Sequence, residues 1–307
     1  MKKLLLLTFS FLTLNLLGQS TLFKVITSQG DVQVTTNGAS TKISSGQRLN
    51  SGSKIKVGFN SYLGLIHISG STMEVKQSGE YEVTDLAKKF STEQSSFTGK
   101  YADYVVSKMT SSDENAKSYN YTGAVKRDIA GAKEIVLWAP SESTENVVNL
   151  LQTVPVQINW GQVEGIDSYV VRIISFDESQ ILLTKSTTEN TLKLDLSKVQ
   201  PSTDIPYFIE VSAKDNGQKV IHSKKPFFLL DEESSNAISQ NLNKVKSNLD
   251  TETALGNLIL ASFYEENGFT MYAISSYQKA VVLEPNVTEY KEMRNIYFNN
   301  HQVLFTE

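Results

Sequence analysis

The 307-residue chain carries no cysteine and three histidines, so few of its side chains can do covalent or metal chemistry. Without a thiol it has no thiolate nucleophile, no zinc–thiolate site and no cysteine to lipidate. Ser51-Gly52-Ser53-Lys54 has the S-x-x-K spacing in which a lysine activates a serine. It sits in a glycine-punctuated β stretch, the partner motifs of that enzyme class are absent, and the segment reads as a turn between strands. His67, next to Gly70 in an apolar run, reads as a packed or surface imidazole rather than a ligand. His222 and His301 have no second ligand at metal spacing. Asp113-Glu114-Asn115 is rich in oxygen, but it lacks the central glycine and terminal glutamate of a calcium loop and reads as a solvated linker. No phosphate-binding glycine loop, dinucleotide fingerprint, G-x-S-x-G or H-E-x-x-H occurs. The expectation is therefore no catalytic residue, metal or cofactor, and a protein that is not an enzyme.

Contact chemistry remains. Between Ala254 and Val287, Leu260, Ala261 and Tyr264 fall on one face of a helix, Asn267-Gly268 breaks it, Ala273, Tyr277 and Ala280 fall on one face of a second helix, and Pro285 ends that helix. Small residues let two helices approach closely, and aromatics fill the space between them. Leu258, Ser262 and Glu265 are expected to point away from that packing face and to form a surface for a protein partner. Flanking helices follow from Ile238, Leu242, Val245 and Leu249 on one side and Val287, Tyr290, Met293 and Tyr297 on the other.

Two β-rich stretches precede these helices. From Phe23 to Val83, short alternating runs at 23–25, 32–34, 55–57, 63–67, 73–75 and 81–83 are punctuated by glycines and Asn60-Ser61, which predicts a small β barrel or β-roll. From Val154 to Leu230, runs beginning at Val156, Tyr169, Ile181, Leu192 and Tyr207 recur every ten to sixteen residues and a further run begins at Phe227, which predicts an antiparallel β sandwich of about seven strands. Between the two, Phe97, Tyr101, Tyr104-Val105 and Met109 step at helical spacing, so an amphipathic helix is expected from about Ser95 to Met109, laid against a neighbouring region. Ser111–Asn120 reads as a linker, and Ile135–Trp138 as a short strand. The expected fold class is multidomain β plus α, in the order 21–85, 86–140, 141–230 and 235–307.

Three resemblances accompany this pattern. The helical stretch resembles a tetratricopeptide repeat, with Ala261 in place of its glycine, Tyr277 in place of its phenylalanine and Asn257 where a tryptophan is frequent. That family would line a concave groove with the side of the first helix that bears Leu258, Ser262 and Glu265. The order Gly30-x-Val-x-Val, Gly46-x-x-Leu, Gly52-x-x-Ile, Asn60-Ser61 and Gly70-Ser71 resembles the FecR domain, which implies its fold and an envelope setting. The run P-V-x-I-x-W, a tyrosine nine residues on, and P-Y-x-I-x-V resemble fibronectin type III domains, which implies a core Trp160 and makes Tyr207 the tyrosine-corner candidate.

Lys2-Lys3, the ~14-residue apolar run Leu4–Leu17 and the small residues at 18–20 read as a secretory signal peptide over residues 1–20, too short an apolar run to span a bilayer. The expected product is periplasmic or secreted, bacterial, and without a transmembrane segment after cleavage. Residues 20–90 hold eight Lys or Arg against five Asp or Glu, and residues 231–307 hold five against eleven. The acidic end argues against nucleic acid as a partner, and the basic front admits a cell-wall polymer. The function these readings predict is a scaffold that docks protein partners, with glycan binding or an accessory role in envelope signalling as the alternative.

Overall fold

Short alternating strands and turn-forming glycines give a β structure at the front of the chain, and apolar helical periodicity gives helices at its end. A computed structural model describes residues 20–90, 96–110, 135–140, 148–199, 205–215 and 219–305. The leader (1–19), the linker (111–120) and Asp113–Asn115 lie outside the described residues. Among the described residues there are fifteen strands and six helices. None of these helices is long and apolar enough to cross a membrane.

The first region has eight strands: β1 (Thr21–Gln29), β2 (Val32–Thr36), β3 (Ala39–Lys42), β4 (Arg48–Asn50), β5 (Lys54–Val57), β6 (Tyr62–His67), β7 (Thr72–Val75) and β8 (Gly79–Glu82). They form two antiparallel four-stranded sheets, ordered β4-β1-β6-β7 and β3-β2-β5-β8. The barrel expected here does not close. All four residues of the edge strand β3 are exposed, and the opposite edge β8 is half exposed. The alternating faces meet over a core of Phe23, Val25, Val32, Val34, Leu49, Ile55, Val57, Leu63 and Leu65. A short helix α1 (Val83–Ala87) adds Val83 and Leu86 to it.

The second region has β9 (Asn149–Leu151), β10 (Val156–Asn159), β11 (Tyr169–Ser175), β12 (Ile181–Thr187), β13 (Thr191–Leu194), β14 (Tyr207–Asp215) and β15 (Lys219–Leu230). Five of them make a sheet ordered β12-β11-β14-β15-β9, and β10 pairs with β13. Every pair is antiparallel except β15–β9, where three residues pair in parallel. Ile135–Trp138 contributes a single bridge, Leu137 to Trp160, rather than a strand. Trp160 is fully buried and meets Tyr169 edge to face, and the Tyr169 hydroxyl accepts from the Val163 N–H at 3.0 Å.

The remaining helices are α2 (Ser96–Thr110), α3 (Glu232–Lys246), α4 (Ala254–Glu266), α5 (Thr270–Leu283) and α6 (Thr288–Asn300). α4 and α5 break at Asn267-Gly268, where Gly268 takes φ +76°, a backbone conformation that favours glycine. One hydrophobic core runs from Ile26, Tyr62 and Ile66 of the first region, through the second region's inner faces, to all four C-terminal helices. Strand β6 makes this possible because all six of its residues are buried. Leu63 and Leu65 face the first core, whereas Tyr62 and Ile66 belong to the larger one. Gly64 lies between these last two, and a Cβ there would stand 3.4 Å from Leu255 and 3.5 Å from the Tyr290 hydroxyl. The helices therefore rest against the outer face of the first region's sheet.

Candidate functional site

The residues with catalytic spacing are not assembled for chemistry. Lys54 points outward to Glu82 at 2.7 Å, and Ser51, the serine of the S-x-x-K spacing, is half-buried with its backbone N–H donating to the Ser20 carbonyl at 2.9 Å. His67 packs between Phe23 and Phe90, with its Nδ1 2.9 Å from the Ser69 hydroxyl, and burial lowers its pKa. His222 is exposed, and the His301 ring lies 4.1 Å from that of Tyr297. Among the described residues no three His, Cys, Asp or Glu converge as a metal site. An open groove of about 590 Å³ follows one side of α3, along Glu232, Glu233, Asn236, Ala237 and Gln240.

Leu260, Ala261, Tyr264, Ala273, Tyr277 and Ala280 are all buried, and Pro285 follows the end of α5. Asn257 tolerates burial because its side-chain amide donates to the carbonyls of Thr251 and Thr253. The expected partner surface is different. Leu258 and Ser262 do not point to solvent; both are fully buried. The chain's own α2 lies over them. Tyr101 meets Phe263 edge to face at 5.3 Å, Ala102, Val105 and Val106 are buried, and the Ser262 hydroxyl, which donates to the Ile259 carbonyl at 2.8 Å, lies 3.4 Å from the Tyr101 carbonyl.

Glu265 is part of the same contact. Its carboxylate pairs with Lys108 of α2 and accepts from the Tyr277 hydroxyl at 2.6 Å. Burial works against the Lys108 ammonium, but Glu265 and Tyr104 outweigh it and hold the pKa above the ordinary lysine value. Lys100 pairs with Glu266 at 2.7 Å, and Lys24 of β1 with Asp103 of α2 at 2.7 Å. The helix expected near 95–109 thus forms over Ser96–Thr110 and wedges between the first sheet and the helical layer.

A second polar cluster joins the same parts at the other end of α4. Glu74 of β7 accepts from the Tyr62 hydroxyl at 2.7 Å and from the Leu255 N–H at 2.8 Å, so a sheet carboxylate caps the first turn of a helix. The Tyr62 proton is committed to Glu74, and Tyr290 of α6 donates to the Tyr62 oxygen at 2.7 Å. Lys76 neutralises the cluster by pairing with Glu74 at 2.8 Å and with Glu284. Burial pushes both tyrosine hydroxyls well above the ordinary tyrosine value. From the other side, Tyr272 of α5 donates to Val154 O at 2.9 Å and accepts from Leu151 N at 3.0 Å, and Ser275 donates to Gln157 O at 2.7 Å.

Acidic residues stand across from two lysines of the first region's second sheet. Lys54 stands opposite Glu82, and Lys56 opposite Glu80. Solvent-facing apolar side chains gather elsewhere. Phe176, Ile181, Leu182 and Ile205 all fall at one end of the five-stranded sheet. Strand β12 showed one apolar run, Ile181–Leu183, but the cross-strand neighbours that decide its exposure are distant in sequence. No protein-family model matches the chain, and no curated protein matches it.

Proposed function

We propose that this chain is an exported, non-enzymatic scaffold that holds two β regions in fixed relation and docks protein partners through its β surfaces. The observation that carries this reading is the double cover on α4, with α2 on one side and the Tyr62–Glu74–Tyr290 cluster at its start. Helices placed this way set the spacing of the β regions rather than offering an empty groove. Seven strands in two sheets around Trp160 support a fibronectin type III-like central region. The glycine turns of the eight-stranded region support a FecR-like one, and the α4–α5 pair a single tetratricopeptide-like unit. The lysine-led apolar leader supports a periplasmic or secreted location.

Photo-crosslinking amino acids placed at Ser262 and at Ile181 in living cells test the reading. Ser262 should yield only internal links to α2, and Ile181 should yield adducts to a second polypeptide. Intermolecular adducts from Ser262, with none from Ile181, would return the partner site to the helical groove and overturn this assignment.

A further inference from the structure

His67 is the one histidine that the fold encloses, with 4% of its surface exposed. Its ring stacks on Phe90 with centroids 5.0 Å apart and planes 24° apart, and Phe23 meets it edge to face at the same distance. Nδ1 accepts from the Ser69 N–H at 3.2 Å and lies 2.9 Å from the Ser69 hydroxyl, which donates to the Ser71 hydroxyl at 3.1 Å. A ring nitrogen that accepts from a backbone N–H carries no proton of its own, so this geometry selects the neutral imidazole with its proton on Nε2. The Gly70 N–H donates to the His67 carbonyl at 2.8 Å and the His67 N–H to the Ser71 carbonyl at 2.8 Å, which closes the turn between β6 and β7 around the same residue.

Among the described residues no charged group pairs with this ring. Lys24 of β1 turns to Asp103, Glu74 of β7 to Tyr62 and Lys76, and Asp85 of α1 to Lys88. Arg48 of β4 and Lys89, just before Phe90, are exposed. Burial is what moves the imidazole pKa, and it moves it down. Protonation would place a cation between two phenyl rings and turn Nδ1 from an acceptor into a donor that faces the Ser69 N–H. The face of Phe90 and the oxygen of the Ser69 hydroxyl offset part of that penalty, and neither supplies a counter-charge.

We propose that His67 is an acid-sensitive latch, whose protonation releases Phe90 and loosens the turn Ile68–Ser71 while the rest of the first region stays folded. Among the described residues Phe90 is the last to pack on the first core before α2 begins at Ser96. It is only partly buried, so it can leave without opening the sheet, and Val83 and Leu86 keep α1 anchored. The latched form binds a proton less tightly than the released form. Its advantage is therefore complete above the ordinary histidine value near pH 6.5, and it falls as pH drops through that value toward the lower one of the enclosed ring. Acid thus weakens the joint between the first region and the cover helix α2, whatever docks on the β surfaces.

Amide hydrogen exchange of the mature chain, followed by NMR at pH 7 and at pH 5 and corrected for intrinsic rates, tests this directly. The amides of Ser69, Gly70 and Phe90 are all hydrogen-bonded in the latched form. Their opening equilibrium should rise about fivefold or more at pH 5, since each unit of pKa separation is a factor of ten. Leu63 and Leu65, on the same strand, should keep theirs. His67→Phe leaves an aromatic ring in the stack and cannot titrate, so Gly70 and Phe90 should open equally at both pH values in that variant. If His67→Phe does not fold, the wild-type imidazole carries the test: its NMR titration should centre below the ordinary histidine value and move up toward it in Phe90→Ala. A wild-type chain without the rise, a rise that persists in His67→Phe, or a ring that titrates at the ordinary value overturns the latch. A rise shared equally by Leu63 and Leu65 is general acid unfolding and overturns it as well.

Discussion

Two surfaces of this molecule carry apolar side chains, one covered by the chain's own helix and the other facing solvent. On α4, Leu258 and Ser262 have no contact with solvent, and α2 packs over the helix at Ser262 and Phe263. On the five-stranded sheet, Phe176 and Ile181 keep more than half of theirs. Proximity along the chain does not explain the difference, since Ser262 and Tyr101 are 161 residues apart. Polar matching contributes to it: α2 brings Lys100 and Lys108 to Glu266 and Glu265, while Arg172 and Lys224 on the sheet already pair with Glu210 and Glu178. A surface with uncommitted acids recruits a cationic helix from its own chain, and a neutral apolar face has no such recruiter.

The largest effect should come from breaking the covered side at its most buried point. Tyr290→Ala removes a fully buried ring and leaves the Tyr62 and Glu74 cluster short of a donor. It should cost about 3–5 kcal/mol, read as a loss in urea-unfolding free energy. If it instead costs as little as a surface substitution, the cluster is not a joint. Gly64→Val comes next. Its side chain meets Leu255 and the Tyr290 hydroxyl, so overpacking of about 1–3 kcal/mol should lower the melting temperature. Leu63 and Leu65 face the other core and should be insensitive to the same crowding.

The buried tyrosines sharpen the comparison through pH. Burial raises the hydroxyl pKa of Tyr62, Tyr264, Tyr272 and Tyr297. These groups bind protons more tightly in the folded state, so the stability they contribute is complete below the unfolded value near pH 10. It should fall as pH rises beyond that, because only the unfolded chain ionises there. A tyrosinate absorbance titration of the folded chain should therefore lag that of the denatured chain, and stability should decline above about pH 10. Coincident titration curves would mean that the aromatic layer is open to water. The smallest effect belongs to the uncovered side: Ile181→Lys should change stability by less than about 0.5 kcal/mol in urea unfolding.

Five of the six described helices were legible in the spacing of their apolar residues, down to the break at Asn267-Gly268, whereas α1 begins at Val83, within the run 81–83 that reads as strand. The cover on α4 was less so, although a clue stood in the sequence. Eleven of the thirteen residues of α4 are buried, and a helix apolar on every side is one that is enclosed. The run Tyr62–Ile68 carried a parallel message: Leu63, Leu65 and His67 read as one alternating face, which passes over Tyr62, Ile66 and Ile68 on the other, and a strand apolar on both faces is covered on both. Both features asked for a layer on the second side, and neither identified α2 as that layer. Strands β3 (ASTK) and β4 (RLN) were missed because neither carries an alternating pair of large apolar residues, and β9 owes its existence to a parallel pairing with β15 some eighty residues away. The open end of the five-stranded sheet depends on register across four strands, which no local pattern encodes.

Native-state amide hydrogen exchange tests the enclosed helix pair most directly. If α2 is an integral cover, the amides of Tyr101–Val106 should exchange only with the same opening free energy as those of Leu258–Tyr264, in one cooperative unit. If the α2 amides exchange at rates near those of a free peptide while α4 stays protected, the cover is not part of the folded unit and the groove on α4 is available after all.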